Sequence, residues 1–307
     1  MTSTALAVTG LTKRYGDRTV VDHLDIQLPT GVVAGFVGPN GAGKTTTMAM
    51  LLGLVRPTAG TGTVLGEPIE NPAAYLHRVG ALIESPAFYP ALSGADNLRL
   101  FATIGGHDVG PIPSLLEDVG LDGRGGDRYR SYSLGMKQRL GIAAALIGQP
   151  ALLILDAPAN GLDPQGVREM RSLVAGLAGT GRTVLVSSHD LSELEQVCDW
   201  LVLIDTGRSV FQGPTRELLN GVASGLAVVP QRPEHRRVLH QLLLARGHHV
   251  DAQAERLVVS HEDVDLVDLA AAVNEAAFDA GMVLVELSPL RGTLEDRYLS
   301  MVGGGAR

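Results

Sequence analysis

One stretch constrains everything around it. Residues 31–37, GVVAGFV, are a continuous apolar run without alternation, the pattern of a strand buried on both faces. The run leads straight into GPNGAGKTT and then into TTMAMLLGLV, whose spacing predicts a helix. A buried strand, a tight glycine turn and a helix in immediate succession call for a parallel sheet with helices packed on its faces. The glycines let the backbone wrap closely, so that successive N–H groups and the positive end of the helix dipole point into one small volume. A polyanion is the ligand such a volume is built for.

Residues 38–45 have the form G-x-x-x-x-G-K-[ST], the phosphate-cradling P-loop. Gly38, Pro39, Asn40, Gly41, Ala42, Gly43, Lys44 and Thr45, with Thr46 beside them, are the expected nucleotide-binding residues. Lys44 is expected to reach the β- and γ-phosphates and Thr45 to ligate Mg²⁺. A chance glycine turn would not arrive with this strand before it and this helix after it. ATP or GTP is therefore the expected ligand. Further on, ALLIL (151–155) is a second wholly apolar run, and it ends in Asp156, the expected carboxylate for the metal. The position after it holds Ala157.

Alternating segments over 5–28 predict an antiparallel sheet. A strand is expected at 80–84, a capped helix after Ser93 and another helix from about Leu134. Past Pro164 the pattern runs helix, strand (183–188), helix (190–197) and strand (200–205). Buried strands alternating with helices define an α/β domain with a mainly parallel core sheet over residues 1–220. From 221 to 307 the order becomes βαββαβ plus a short helix, which fits a small α+β, ferredoxin-like module. Its adjacent His248 and His249 would point to opposite faces of a strand, a poor metal pair.

Composition excludes several classes. The net charge is −8, and the richest basic cluster, residues 231–237, is short and contains an acid. A nucleic-acid reader would carry a basic stripe with interleaved aromatics, so no nucleic-acid partner is expected. The single cysteine, Cys198, rules out an internal disulfide. The N-terminus lacks a signal-peptide layout, and no apolar run approaches the ~20 residues of a membrane-spanning helix. Any membrane role must pass through a partner.

Several further stretches converge on one family. YSLGMKQRLGIAAAL (132–146) resembles the signature segment of ATP-binding-cassette (ABC) proteins. NGLDP (160–164) resembles their D-loop, VSSHD (186–190) their switch-histidine loop, and ALIESPAFYP (81–90) their Q-loop region. Tyr15 matches the aromatic that stacks on adenine. LIESPAFYP and YSLGMKQRL together are most similar to the drug- and antibiotic-exporting branch, whose ATPase subunits serve a separate membrane subunit. The resemblance implies a head-to-tail homodimer that closes on two ATP molecules. In it, Ser133 and the Gly135 N–H cap the partner's γ-phosphate, and His189 points at the γ-phosphate. It also implies a permease partner against residues 84–90, and a cytoplasmic location on the inner face of the cell membrane through that permease.

This chain departs from the family pattern at the signature, where Leu134 and Met136 flank the retained glycine, and at the Q-loop, where Glu84 replaces glutamine. Glu84 keeps an oxygen for Mg²⁺. Ala157 goes further, because the family places there the glutamate that orients and deprotonates the attacking water. Binding should survive and turnover should fall. Three readings stand: a replacement that traps the ATP dimer, favoured because the surrounding parts are intact; a natural feature of a regulatory or degenerate subunit; or a substitute base, with Glu84 and Asp163 the candidates. The rival functions are a soluble ABC protein acting on ribosomes or DNA, and an ATP-gated subunit without meaningful catalysis.

Overall fold

The alternation in the first thirty residues resolves into two long strands, β1 (Thr4–Tyr15) and β2 (Arg18–Pro29), paired antiparallel. These come from a computed structural model that describes residues 3–84, 87–179, 181–188, 190–219, 225–260, 265–290 and 294–303. The apolar run becomes β3 (Val33–Val37), buried at every position, and the helix after the glycine turn is α1 (Lys44–Leu51). Two short strands follow, β4 (Ala59–Val64) and β5 (Glu67–Pro68), and they extend the first sheet to the order β2-β1-β4-β5.

The chain then enters β6 (Val79–Leu82) and three helices, α2 (Gly94–Ile104), α3 (Ile112–Asp118) and α4 (Leu134–Leu146). Ser93 caps α2 as expected, accepting from the Asp96 N–H and donating to the Asp96 carboxylate. After them come β7 (Leu152–Leu155), α5 (Pro164–Ala178), β8 (Thr183–Ser188), α6 (Leu191–Glu195), β9 (Trp200–Asp205) and β10 (Arg208–Pro214). The main sheet has the order β10-β9-β3-β8-β7-β6; β9 through β6 run parallel, and β10 is an antiparallel edge. One core joins the two sheets around α1: Leu6, Ile26, Phe36, Met48, Ile154 and Leu185 all belong to it and are buried. Burying each such side chain contributes roughly 1.5–3 kcal/mol.

The chain divides into two compact units, residues 1–215 and 216–306, with α7 (Thr215–Leu219) carrying it from one to the next. The boundary expected at 220/221 falls within 220–224, outside the described residues. The second unit runs β11 (Gly225–Pro230), α8 (His235–Ala245), β12 (His249–Ala252), β13 (Leu257–Ser260), α9 (Leu266–Asp279), β14 (Leu284–Leu290) and α10 (Leu294–Gly303). Its antiparallel sheet has the order β12-β13-β11-β14, the split βαβ arrangement, and Leu226, Val228, Leu239, Val259 and Val273 form a core of its own. His248 precedes β12 rather than lying in it, so the two histidines do not alternate across one strand. Among the described residues no helix is long and apolar enough to cross a membrane.

Candidate nucleotide-binding site

The site gathers at the carboxyl ends of β3, β8 and β7, which are neighbours in the parallel sheet. In open α/β sheets this is the edge where ligands bind. β3 ends at Val37 and the chain turns at once. Gly43 holds φ at 99°, and a side chain there would strike the Val20 carbonyl oxygen at 2.8 Å, so only glycine fits. Lys44 folds back across the loop, its Nζ donating to the carbonyl oxygens of Gly38 at 2.6 Å and Pro39 at 3.1 Å. Burial lowers the Lys44 pKa, while the charge of Asp156 opposes that shift. A phosphate in the loop would strengthen the opposing effect and hold the ammonium charged.

The Thr45 hydroxyl donates to Asp156 Oδ2 at 2.7 Å, although the two residues come from opposite halves of the cassette. Asp156 is buried at 8% exposure. Its other oxygen accepts from Ser187 Oγ at 2.5 Å, and the same Ser187 oxygen accepts from the Ala157 N–H at 2.9 Å. One hydroxyl on β8 therefore fixes both the carboxylate and the backbone beyond it. A hydroxyl and a buried carboxylate brought together are the hard oxygen donors that Mg²⁺ prefers, so these residues fit that ion.

Two non-glycine residues here adopt left-handed backbone, Glu84 at φ 58° and Ala157 at φ 46°. Such strain costs roughly 1–3 kcal/mol per residue and concentrates at functional sites. Both border a cleft of about 620 Å³, together with Lys44, Thr45 and Asp156. Asn40, Gly41, Gly43 and Thr46 line it from the P-loop side, and Gln138 and Asn160 from elsewhere in the unit. Gly38, Pro39 and Ala42 shape the loop from behind; Ala42 is 3% exposed.

Ser133 and Gly135 border a different cleft, of about 450 Å³, with Leu162 and Asp163. Ser133 caps α4 by accepting from the Met136 N–H at 3.3 Å, and Asp163 caps α5 by accepting from the Gly166 N–H at 2.8 Å. Two helix N-termini thus open onto one recess, a setting that favours an anion. Of the two candidate substitute bases, Glu84 shares the P-loop cleft and Asp163 does not. Tyr15 ends β1 half-exposed, with Lys13 Nζ 4.8 Å from its ring centroid, and does not border the cleft. His189 lies outside the described residues. Sequence reasoning missed Ser187. Ser187 stood within the VSSHD segment, but nothing in that segment says which serine reaches Asp156.

The P-loop, the Thr45–Asp156 pair and a six-stranded, mainly parallel sheet define a nucleotide-binding cassette. The family model described as ABC transporter matches residues 21–160. The chain is 38% identical over 307 residues to the bacitracin transport ATP-binding protein BcrA of Bacillus licheniformis, covering 99% of each chain. It is 35% identical over 315 residues to the daunorubicin resistance ATP-binding protein DrrA3 of Streptomyces coeruleorubidus, covering 100% of this chain and 98% of that one. Among solved structures, cbiO1 of Clostridium perfringens, part of the ABC transporter complex cbiONQ, matches with a TM-score of 0.64 at 26% identity, over 71% of this chain and 91% of that one. The chain belongs to the ABC transporter family, as an ATP-binding subunit.

Proposed function

We propose that this subunit powers the export of a drug- or antibiotic-like compound through a separate membrane permease, by ATP-driven closure of a homodimer. The observation that carries the reading is the joining of Lys44, Thr45 and Asp156 around one cleft while a distinct recess holds Ser133 and Gly135. A cassette that keeps its phosphate cradle and its anion-capping helix in separate clefts is half of a head-to-tail pair. The names of the relatives, a bacitracin transport protein and a daunorubicin resistance protein, support the substrate class.

In the proposed cycle the loop N–H groups of residues 38–45 and Lys44 bind the phosphates, and Tyr15 stacks on the adenine. Thr45 and Asp156, with Glu84 nearby, would hold Mg²⁺, which would supply neutralisation of phosphate charge when bound. Ser187 keeps Asp156 oriented. Ser133 and the Gly135 N–H of one protomer cap the γ-phosphate bound by its partner, and His189 points to the same phosphate. Closure moves the permease seated against residues 84–90, which keeps the subunit on the inner face of the membrane. Ala157 offers a methyl group where a positioned general base would stand, a loss of ~10²–10⁴-fold in rate, or roughly 3–5 kcal/mol of barrier.

The test is purification from a membrane extract of its host, with equilibrium ATP binding measured on the product. Recovery of a polytopic membrane subunit, and ATP affinity that collapses in Lys44→Ala, support the proposal. Ribosomes or DNA in place of a membrane protein would point to a soluble, non-transport role.

A further inference from the structure

Among the described residues, four charged side chains border the P-loop cleft: the cations Arg18 and Lys44 and the carboxylates Glu84 and Asp156. The carboxylates suit Mg²⁺, which offsets only part of the charge of a nucleoside triphosphate. Lys44 serves the β- and γ-phosphates. The remaining full positive charge on the wall is Arg18. It opens β2, opposite Tyr15 in the β1–β2 pairing, and is exposed. Its guanidinium makes no hydrogen bond or ion pair with any described residue. A lone surface arginine needs no explanation, but this one stands where its strand is irregular. Thr19 pairs with Arg14 and Val21 with Lys13, so Val20 is an extra residue, a β-bulge. Bulges re-aim side chains beside functional sites. Val20 borders the cleft along with Arg18, and its carbonyl oxygen lies so near Gly43 that no side chain fits between them. β2 is thus pressed against the loop where α1 begins. Tyr15, across the hairpin, has Lys13 over its ring and does not border the cleft.

We propose that Arg18 is a second nucleotide-binding cation, reaching from β2 into the P-loop cleft to pair with the α-phosphate of ATP or ADP. This rests on reading that cleft as the ATP site. A guanidinium suits the task, because it is always charged and offers a fork of N–H donors to phosphate oxygens. Arg18 has no ion pair to give up before it engages the ligand. The α-phosphate takes no part in breaking the β–γ linkage, so the contact is equally strong before and during the reaction. It therefore acts on affinity and KM and leaves kcat unchanged.

Equilibrium binding of ATP and of ADP with Mg²⁺, at protein concentrations too low for dimerisation, reads the contact. Arg18→Ala should weaken both nucleotides by about tenfold and to the same degree, because both carry an α-phosphate. Arg18→Lys should stay within about threefold of the parent. Arg14→Ala removes the same charge from an exposed residue of the same hairpin that does not border the cleft, and should change neither affinity. The denaturation midpoint of Arg18→Ala should match the parent's, since no contact within the chain is lost. A loss for ATP alone would place the contact on the γ-phosphate and overturn the assignment. Unchanged affinities in Arg18→Ala, or an equal loss in Arg14→Ala, would overturn it as well. Lys44→Ala separates this proposal from the reading beneath it. If that variant binds ATP as tightly as the parent, the cleft is not the ATP site and the proposal falls with it; if it loses ATP while Arg18→Ala is neutral, the Arg18 proposal fails alone.

Discussion

Ser187 shows how little of a site needs to be large. Its hydroxyl is shared between the Asp156 carboxylate and the Ala157 N–H, both at the end of β7. Removing it in Ser187→Ala leaves a buried donor and a buried acceptor short of a partner, a cost of about 1–3 kcal/mol. We expect a lower denaturation midpoint and weaker Mg²⁺-dependent ATP binding, both readable in one titration series; unchanged values for the two would show that the contact is incidental. Cys198 behaves in the opposite way, as an inert core group. Burial pushes its thiol up to about 12 from 9.0, with Asp199 adding to the shift. The folded chain keeps that proton where the unfolded chain loses it. The stability it contributes is therefore complete below pH 9 and is lost as pH rises toward 12. Alkylation at pH 8 should label Cys198 only after denaturant is added. At this scale the P-loop, Asp156 and the odd Ala157 were legible because each is tied to a local pattern. The Ser187 bridge was not, because side-chain partners across strands leave no periodicity in a sequence.

Among elements, the helix that carries Ser133 depends on one strand. β6 lies so close to α4 that a side chain at Gly80 would meet the Ala145 carbonyl oxygen at 1.9 Å. Backbone cannot yield as a flexible side chain can, so Gly80→Ala should destabilise the first unit by at least the ~1–3 kcal/mol typical of overpacking. Chemical denaturation measures this directly, and a loss below about 0.5 kcal/mol would mean that α4 can shift freely. A second tie runs through the aromatics, scarce at 4% of the chain. Phe88 packs edge-on against Phe101 at 5.3 Å and against Tyr129 at 5.2 Å, and Tyr129 lies 6.0 Å from Tyr132, just before Ser133. Phe88 is thereby packed against the lead-in to α4. Phe88→Ala, expected to cost less than the ~3–5 kcal/mol of a core phenylalanine because Phe88 is only partly buried, should impair ATP-driven dimer closure more than ATP binding itself. Strands β3 and β7 were readable as unbroken apolar runs, and β8 as the strand TVLVSS. β4 escaped notice because AGTGTV has no apolar alternation, and its place is set by pairing with β1.

For the whole molecule, each unit has its own buried cluster, one around α1 and one on the sheet of the second unit. A chain ending at Thr215 should therefore fold and bind ATP within a few-fold of the full length. If it also dimerises fully with ATP, residues 216–307 add no essential dimer contact. The α/β class and the ferredoxin-like order were legible because alternating elements force them. The proposed pairing of two cassettes entered only through family resemblance, because composition and periodicity describe a single chain.

We propose a complete nucleotide machine stopped at one position, Ala157. Steady-state ATP hydrolysis by this chain beside its Ala157→Glu variant, with ATP-dependent dimerisation followed in the same samples, tests it most directly. Both should form the ATP dimer, and the glutamate should raise turnover about a hundredfold or more. Equal rates would contradict it, and would place the base on some other residue.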